Sequence, residues 1–220
     1  MAADTQDSNS YFQIFDCDGV ILDSNGIKTE AFRHALLAEE PSQVEALVEY
    51  HLSNGGIDRR EKLLYYYREI AGRDPVDDIE ESIRRFSDFC RSRLLEAPLI
   101  PGIREYLAQN QVCQNFVVSG GTQDELDLAL GHQKLKQHFV MVLGSPKSKR
   151  ENMGYLEEAG YLKGEGIYFG DSRLDMELAG DFRQRFVFVA GASDWQRGAE
   201  TCEALGHAVI VDFRGLSSPR

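Results

Sequence analysis

A short apolar run near the start of the chain predicts a buried β-strand. Residues 11–15 are rich in aromatic and β-branched side chains, which favour strands. Asp16 and Asp18 follow this run two residues apart, and Gly19 comes next. Aspartate and glycine are common turn residues, so the junction has an ordinary structural interpretation. However, carboxylates crowded at a strand end repel each other, and a bound cation is the usual remedy.

The pattern then becomes helical and stays so from residue 26 to residue 97. Apolar residues recur at helical spacing after Pro41, which suits the first turn of a helix. Glycine-containing breaks interrupt the pattern at residues 54–56 and 72–75. The pattern predicts helices over residues 27–38, 41–52, 60–70 and 76–95. We expect residues 26–97 to form an all-helical cap domain.

After Pro98 the pattern alternates between short apolar runs and helical segments. The apolar runs predict strands over residues 116–119, 139–143, 166–169, 185–189 and 208–211. The segments before and between them predict helices over residues 103–109, 125–130, 149–159, 176–179 and 195–205. Strands that alternate with helices form a parallel sheet covered on both faces. The predicted fold class is α/β, a Rossmann-like three-layer parallel sheet core of residues 10–25 and 98–220 with the helical cap inserted.

Polar residues follow the strands of this predicted sheet at the points where the strands end. Right-handed crossovers place ligands at the carboxyl ends of parallel strands, so these residues should face one crevice. The residues that share this position are Asp16 and Asp18, Ser119 and Gly120, Lys147 and Lys149, and Asp171 with Asp175. Taken singly, each has a simpler interpretation as a helix-entry residue or a solvated charge. Together they indicate one site.

This set of residue types suits phosphoryl transfer. A carboxylate can attack phosphorus and form an acyl phosphate, and Asp16 is placed for that role. Asp18 could protonate the leaving group and then take a proton from the attacking water. Mg²⁺ would offset the negative charge, with Asp171 and Asp175 among its ligands. Ser119 and the N–H groups after it could hold phosphoryl oxygens.

The motifs resemble those of the haloacid dehalogenase superfamily, in particular phosphatases of the phosphoglycolate phosphatase and β-phosphoglucomutase type. The matching segments are residues 16–20 (DCDGV) with Asp23 and Ser24, 118–120 (VSG), 144–146 (GSP) with Lys149, and 170–172 (GDS) with Asp175. The resemblance covers nearly the whole chain, including a helical cap after the first motif. It implies that Asp16 is the nucleophile and Asp18 the acid/base. It also implies a Mg²⁺ site formed by four aspartates, namely Asp16, Asp18, Asp171 and Asp175. The family's lysine usually opens the helix after Gly-Ser-Pro, so Lys149 is preferred to Lys147 as the catalytic lysine.

Two features narrow the reaction and its substrate. The true dehalogenases of the superfamily lack the second aspartate, so Asp18 favours phosphate esters over haloacids. In the cap, residues 54–62 join two predicted helices and resemble the cap loop that faces the active site in relatives. Arg59 or Lys62 could bind an anionic part of the substrate there, although both could equally lie at a solvated helix start. We expect a small phosphorylated metabolite, such as a sugar or sugar-acid phosphate.

Three functions compete on this evidence. The first is a Mg²⁺-dependent phosphatase that works through an aspartyl-phosphate intermediate. The second is a phosphosugar mutase on the same scaffold, whose cap would have to shield the aspartyl phosphate from water. The third is a non-catalytic phosphometabolite-binding protein that kept the fold. The intact set of catalytic residues speaks against the third.

Composition argues against several other classes. The formal net charge of -12 argues against a nucleic-acid partner, since a phosphate backbone demands a basic surface. No apolar run approaches the ~18 residues that a membrane span needs, so we expect no membrane partner. Four scattered cysteines without metal-binding spacing favour a reduced, cytoplasmic protein. We expect a monomer or a small homo-oligomer.

Overall fold

The computed structural model describes residues 11–74 and 78–216, and a parallel sheet forms its centre. Within these residues the strands are β1 (Phe12–Phe15), β2 (Gln114–Thr122), β3 (Met141–Ser145), β4 (Gly166–Gly170), β5 (Arg185–Val189) and β6 (Ala208–Ile210). Their order across the sheet is β3-β2-β1-β4-β5-β6, and all neighbouring pairs are parallel. The chain builds outward from β1 to β3 and then returns to add β4 on the other side of β1. This topology leaves a crevice at the carboxyl ends of the central strands.

The sheet is buried on both faces. Side chains of β1 alternate between its two sides, so Phe15 joins one apolar cluster, whereas Phe12 and Ile14 join the other. All three side chains are at most 1% exposed. A strand without a solvent-facing side carries apolar residues at most positions, which explains the apolar run of β1, interrupted by Gln13 alone. The predicted three-layer core is confirmed.

Helices cover the sheet and form the cap. Within the described residues, the cap is formed by helices that lie between β1 and β2 along the chain. These helices are α1 (Asn25–Ala35), α2 (Pro41–Ser53), α3 (Arg59–Tyr65) and α4 (Ile79–Glu96). The helices that flank the later strands are α5 (Ile103–Gln109), α6 (Gln123–His132), α7 (Lys149–Glu158), α8 (Arg173–Asp181) and α9 (Gly198–Ala204). A π-helical turn, Tyr66–Ile70, extends α3, and a 3-10 turn, Lys136–His138, precedes β3. None of the helices in the described ranges is long and apolar enough to cross a membrane.

The predicted helical cap is confirmed, while its bounds at residues 26 and 97 stay a prediction. Its first helix, α1, ends at Ala35, where the pattern predicted a helix up to residue 38. The predicted helix start at residue 76 lies outside the described residues. The same holds for the outer ends of the predicted core domain, residues 10 and 217–220.

The start of β3 differs from its prediction by two residues. The apolar pattern predicted a strand from residue 139, but Phe139 follows a 3-10 turn and its N–H bonds to the carbonyl of Lys136 at 3.2 Å. From this position Phe139 packs edge-on against Phe15, with 5.9 Å between ring centroids. The apolar side chain of Phe139 thus serves the core and not a strand, and β3 begins only after it.

An aromatic cluster ties the C-terminal segment to the centre of the sheet. Phe169 of β4 stacks on Phe15 of β1, with 4.9 Å between ring centroids. Phe213 packs against Phe169 at 5.3 Å and against Tyr106 of α5 at 5.2 Å. Aromatic pairs at such distances stabilise beyond the area that they bury. Phe213 is 2% exposed, so the segment after β6 completes this part of the core.

The substitution Phe213→Ala should lower the free energy of unfolding by about 3–5 kcal/mol, because it leaves a cavity among packed aromatic rings. The measurement is the urea midpoint and slope, followed by circular dichroism. Val211→Ala is the matched control, since Val211 is 66% exposed in the same segment and its truncation should cost at most about 0.5 kcal/mol. Equal midpoints for the Phe213 variant and the wild type would show that this segment lies outside the core.

Candidate active site

The carboxyl ends of β1, β2 and β4 meet the start of α7 in one crevice. Asp16 follows β1, and Asp171 follows the adjacent strand β4. Lys149 is the first residue of α7, and its ammonium lies 2.9 Å from an oxygen of Asp16. Carboxylate oxygens of Asp16, Asp171 and Asp175 lie within 4.8 Å of one another. The structure thus brings together acidic and basic residues that are far apart along the chain.

Lys149, and not Lys147, reaches these carboxylates. Ser148 begins α7 with a capping box, in which its hydroxyl accepts the N–H of Glu151 at 3.2 Å. The carboxylate of Glu151 in turn accepts the N–H of Ser148 at 2.8 Å. With the helix start fixed in this way, Lys149 is 2% exposed, whereas Lys147 lies on the surface.

Asp175 holds the lysine in place. Its Oδ1 accepts hydrogen bonds from the ammonium of Lys149 at 2.7 Å and from the hydroxyl of Tyr168 at 3.0 Å. Its Oδ2 accepts the hydroxyl of Ser172 at 2.6 Å, in the capping box that begins α8. Burial disfavours the charge of Lys149, but Asp16 and Asp175 raise its pKa, so it stays an ammonium. Asp175 thus positions Lys149 within the site, and its predicted direct bond to the metal stays a prediction.

Asp16 and Asp171 are buried side by side, and this disfavours the charge of both. Burial raises the pKa of Asp16 to about 7, although the ammonium of Lys149 opposes the shift. Burial, and then the charge of Asp16, raises the pKa of Asp171 well above its usual range. A divalent cation between them would reverse both shifts, because it favours ionised carboxylates.

The donor set fits a hard cation such as Mg²⁺. Mg²⁺ prefers oxygen ligands, and Asp16 and Asp171 present carboxylates from adjacent strand ends. The amide of Asn25 donates to Oδ2 of Asp171 at 2.7 Å and orients that carboxylate. Gly19 leaves room for this carboxylate, because a Cβ there would lie 2.1 Å from Oδ2 of Asp171. Its φ of +77° also favours glycine. The turn after β1 is therefore shaped around the Asp171 carboxylate.

Asp18 lies apart from the buried carboxylates, on the wall of the same pocket as Asp16. Its side chain is 20% exposed. The hydroxyl of Ser24 donates to its Oδ1 at 2.5 Å, and the ammonium of Lys28 lies 3.8 Å from its Oδ2. Asp18 is thus held from both sides while it remains accessible to a bound molecule.

The last residues of β2 meet the cap loop, residues 54–58. Ser119 is 1% exposed, and its hydroxyl accepts the N–H of Gly121 at 3.1 Å. Gly120 and Gly121 line the pocket. A Cβ on Gly120 would lie 2.6 Å from the carbonyl oxygen of Gly56, so only glycine permits this approach. The cap loop therefore lies directly over the strand ends.

The two predicted cap cations both line the pocket, but their surroundings differ. Arg59 forms a two-pronged ion pair with Glu125 of α6, in which one N–O distance is 2.7 Å. Lys62 is 2% exposed, and its ammonium lies 2.7 Å from Nδ1 of His51. The imidazole of His51 brings no negative charge that would stabilise the ammonium. Burial and then the charge of Lys149 lower the pKa of Lys62 to about 7.

Sequence reasoning missed four polar side chains that contact the predicted site residues. They are Asn25, Lys28, His51 and Glu125. All four lie on helices, where polar residues are usually solvated. Closeness to the first motif could have singled out Asn25 and Lys28. The roles of His51 and Glu125 depend on how the helices pack, which no local pattern reveals.

Comparisons with known proteins agree with this geometry. A family model described as haloacid dehalogenase-like hydrolase matches residues 13–189. A predicted phosphoglycolate phosphatase from Haemophilus somnus has a TM-score of 0.72 and 17% identity, over 94% of this chain and 96% of its own. A predicted phosphatase from Clostridium acetobutylicum has a TM-score of 0.71 and 19% identity, over 92% and 93%. A β-phosphoglucomutase from Clostridium difficile has a TM-score of 0.66 and 20% identity, over 95% and 93%. The search of curated protein sequences found no significant match.

Asp171→Asn should weaken Mg²⁺ binding by about 10-fold or more, because a neutral amide replaces a charged oxygen ligand. The measurement is titration calorimetry with MgCl₂ on variants whose thermal unfolding matches the wild type. Asp181→Asn is the control, since Asp181 forms an exposed ion pair with Arg150 at 2.6 Å, and its loss should leave the affinity unchanged. If the Asp171 variant bound Mg²⁺ as tightly as the wild type, Asp171 would not be a ligand.

Proposed function

The chain belongs to the haloacid dehalogenase-like hydrolase family, and from this premise we propose that it is a Mg²⁺-dependent phosphatase of a small phosphorylated metabolite. The observation that carries the proposal is the buried contact between the Lys149 ammonium and Asp16, 2.9 Å apart at the end of β1. This contact sets a carboxylate beside a positive charge at the base of the pocket. A carboxylate that attacks an anionic phosphoryl group needs such a charge, because the two would otherwise repel each other.

Asp16 attacks phosphorus in the first step of the proposed reaction. Its oxygen forms a new P–O bond while the P–O bond to the leaving alkoxide breaks, which gives an aspartyl phosphate. Asp18 gives its proton to the leaving oxygen, so the product leaves as a neutral alcohol. In the second step Asp18 takes a proton from the water that attacks phosphorus, the P–O bond to Asp16 breaks, and inorganic phosphate leaves with Asp16 as a free carboxylate. Ser24, 2.5 Å from Oδ1 of Asp18, keeps that carboxyl group in place during both transfers.

Mg²⁺ would be held by the side chains of Asp16 and Asp171 and by the backbone carbonyl of Asp18. When bound, it supplies positive charge against the phosphoryl oxygens. Lys149 supplies the other positive charge, and Asp175 positions it through the hydrogen bond of 2.7 Å. In this assignment Asp175 serves the metal site indirectly.

The last residues of β2 and the start of α6 would bind the phosphoryl oxygens. Gly120 and Gly121 line the pocket, and α6 begins just after them. Backbone N–H groups at a helix start carry partial positive charge and suit an anion. The hydroxyl of Ser119 accepts the N–H of Gly121, and its own hydrogen can be donated to a phosphoryl oxygen.

The cap side of the pocket favours a substrate with a second anionic or strongly polar group. A nearby anion would restore the charge of Lys62, whose pKa burial lowers to about 7. The ring of His51 stays neutral, because burial and then Lys62 lower its pKa to about 2. Since Arg59 is already paired with Glu125, Lys62 is the better candidate of the two cap cations. A sugar or sugar-acid phosphate has this combination of groups.

A phosphosugar mutase on the same scaffold is the second candidate. The close contact between the Gly56 carbonyl and Gly120 favours it, since a mutase must keep water from the aspartyl phosphate. Such an enzyme would return the phosphoryl group to another hydroxyl of the sugar. A non-catalytic binding protein is less well supported, because it would have no use for the buried Lys149–Asp16 contact.

We also propose that the protein acts in the cytoplasm as a monomer or small homo-oligomer. Its four cysteines are free thiols in the structure, which suits a reducing compartment. At a net charge of -12, its partner should be a small molecule and not a nucleic acid.

The purified protein should release inorganic phosphate from at least one small phosphometabolite in the presence of Mg²⁺. The measurement is phosphate release across a panel of sugar and sugar-acid phosphates, with MgCl₂ or with EDTA. EDTA should abolish the activity, and Asp16→Asn controls for a contaminating phosphatase. Analysis of the organic product separates the candidates, because a mutase yields an isomer of the substrate. Neither product across the panel would contradict both enzymatic proposals.

Asp16→Asn and Asp18→Asn should fail in different ways. The first removes the attacking oxygen, so no phosphoenzyme should form. The second removes the proton donor, so an alkyl phosphate should lose ~10²–10⁴-fold in rate and an activated aryl phosphate far less. Rates on both substrates, together with trapping of the phosphoenzyme, measure the difference. Phosphoenzyme in the Asp16 variant, or equal losses on both substrates in the Asp18 variant, would show that the roles are assigned wrongly.

A further inference from the structure

A buried network of charges joins the cap to the core beside the pocket. At its centre is Glu125 of α6, whose carboxylate accepts the guanidinium of Arg59 and, at 3.3 Å, the ammonium of Lys28. The same ammonium lies 3.8 Å from Oδ2 of Asp18. Arg59 also donates to the hydroxyl of Ser87 on α4 at 2.8 Å. The network therefore links α3 and α4 of the cap to α6 of the core and, through Lys28 of α1, reaches the proposed acid/base residue.

The charged members that meet at Glu125 are shielded from solvent. Arg59 is 5% exposed and Lys28 is 9% exposed, while the side chain of Glu125 is 10% exposed. Burial alone would raise the pKa of Glu125, but Lys28 and Arg59 lower it, so Glu125 is a carboxylate. Buried charges interact strongly, and removal of one leaves the others uncompensated. An exposed ion pair, by contrast, contributes little.

On the cap side, the network holds the loop that covers the strand ends. Arg59 is the first residue of α3 and directly follows the cap loop, whose Gly56 contacts Gly120. The ring of Phe86 lies under the guanidinium of Arg59, with 4.4 Å to the ring centroid. A movement of the cap away from the core must separate Arg59 from Glu125. This ion pair therefore favours the position in which the loop covers the site.

At its other end, through Lys28 of α1, the network limits where the Asp18 carboxyl group can point. Ser24 holds one of its oxygens at 2.5 Å, and Lys28 faces the other at 3.8 Å. Lys28 is closer to Glu125, at 3.3 Å, and is therefore drawn away from a tight contact with Asp18. Without the charge of Glu125, Asp18 would be its nearest carboxylate. The ammonium would then move toward Asp18 and pull the carboxyl group out of its present orientation.

We propose that Glu125 is a positioning residue that couples the closed cap to the orientation of Asp18. It acts through Arg59 on the cap side and through Lys28 on the side of the acid. The inference rests on the proposed function, in which Asp18 protonates the leaving group. An ion pair that only stabilised the fold would affect all substrates alike, whereas a positioning role must appear in the step that Asp18 performs.

The substitution Glu125→Gln removes the charge and keeps the shape of the side chain. The kcat for an alkyl phosphate should fall about 10-fold or more, and that for an activated aryl phosphate about 2-fold at most, because only the first needs the proton of Asp18. Glu157→Gln is the matched control, since Glu157 forms an exposed ion pair with Arg183 at 3.0 Å, and both rates should stay unchanged. An equal loss on both substrates, or no loss on either, would overturn the role toward Asp18.

Hydrogen–deuterium exchange in the cap loop tests the other half of the coupling without turnover. In Glu125→Gln these backbone amides should exchange faster than in the wild type. Arg59→Lys, which keeps the charge but loses the two-pronged bond, should shift exchange in the same direction to a smaller extent, and it replaces the first variant if that one does not fold. If the wild type released no phosphate, the proposed function would fail, while faster exchange would still support the link between Glu125 and the cap. Unchanged exchange in both folded variants would overturn that link.

Discussion

The ammonium of Lys149, held between the carboxylates of Asp16 and Asp175, is the interaction on which the site depends. Three buried carboxylates with oxygens within 4.8 Å of one another repel strongly where charge is weakly screened. The lysine offsets two of them directly, at 2.9 and 2.7 Å. Capping boxes fix both sides of this contact, since Ser148 begins the helix of Lys149 and Ser172 begins the helix of Asp175. Local rules of helix initiation thus set the geometry of an ion pair between distant parts of the chain.

The same electrostatics explain how an acidic protein can accept an anionic ligand. The chain carries a net charge of -12, and an unassisted pocket of aspartates would repel a phosphate group. Lys149 compensates only part of this charge, because burial and then the charge of Asp16 still raise the pKa of Asp171. A divalent cation beside Asp171 would change the local sign of the potential. The acidity of the site is therefore a reason to expect a metal, and it does not argue against a phosphorylated substrate.

The parts of the fold and site that sequence predicts are those with local causes. Strands buried on both faces are apolar at most positions, so β1 is visible in the pattern despite Gln13, and its end places Asp16 and Asp18 in a turn. The preference for Lys149 over Lys147 rests instead on the resemblance to the family, and only the structure shows the capped start of α7 that places Lys149 inside. Phe139 misled the strand prediction because its apolar character serves the core from a 3-10 turn. Glu125 was out of reach, because its partners lie 66 and 97 residues away and meet it only when the cap packs on the core.

Arg59 and Lys62 show why the roles of cap residues depend on that packing. They lie one turn apart on α3, and both are buried at the pocket. Arg59 meets a carboxylate on the core and is neutralised by it, whereas Lys62 meets the neutral ring of His51. A buried ammonium with a neutral acceptor lacks the compensation that a buried charge requires, so an incoming anion gains more there than beside Arg59. In the proposed function, Arg59 therefore secures the closed position of the cap, and Lys62 remains available to an anionic group of the substrate.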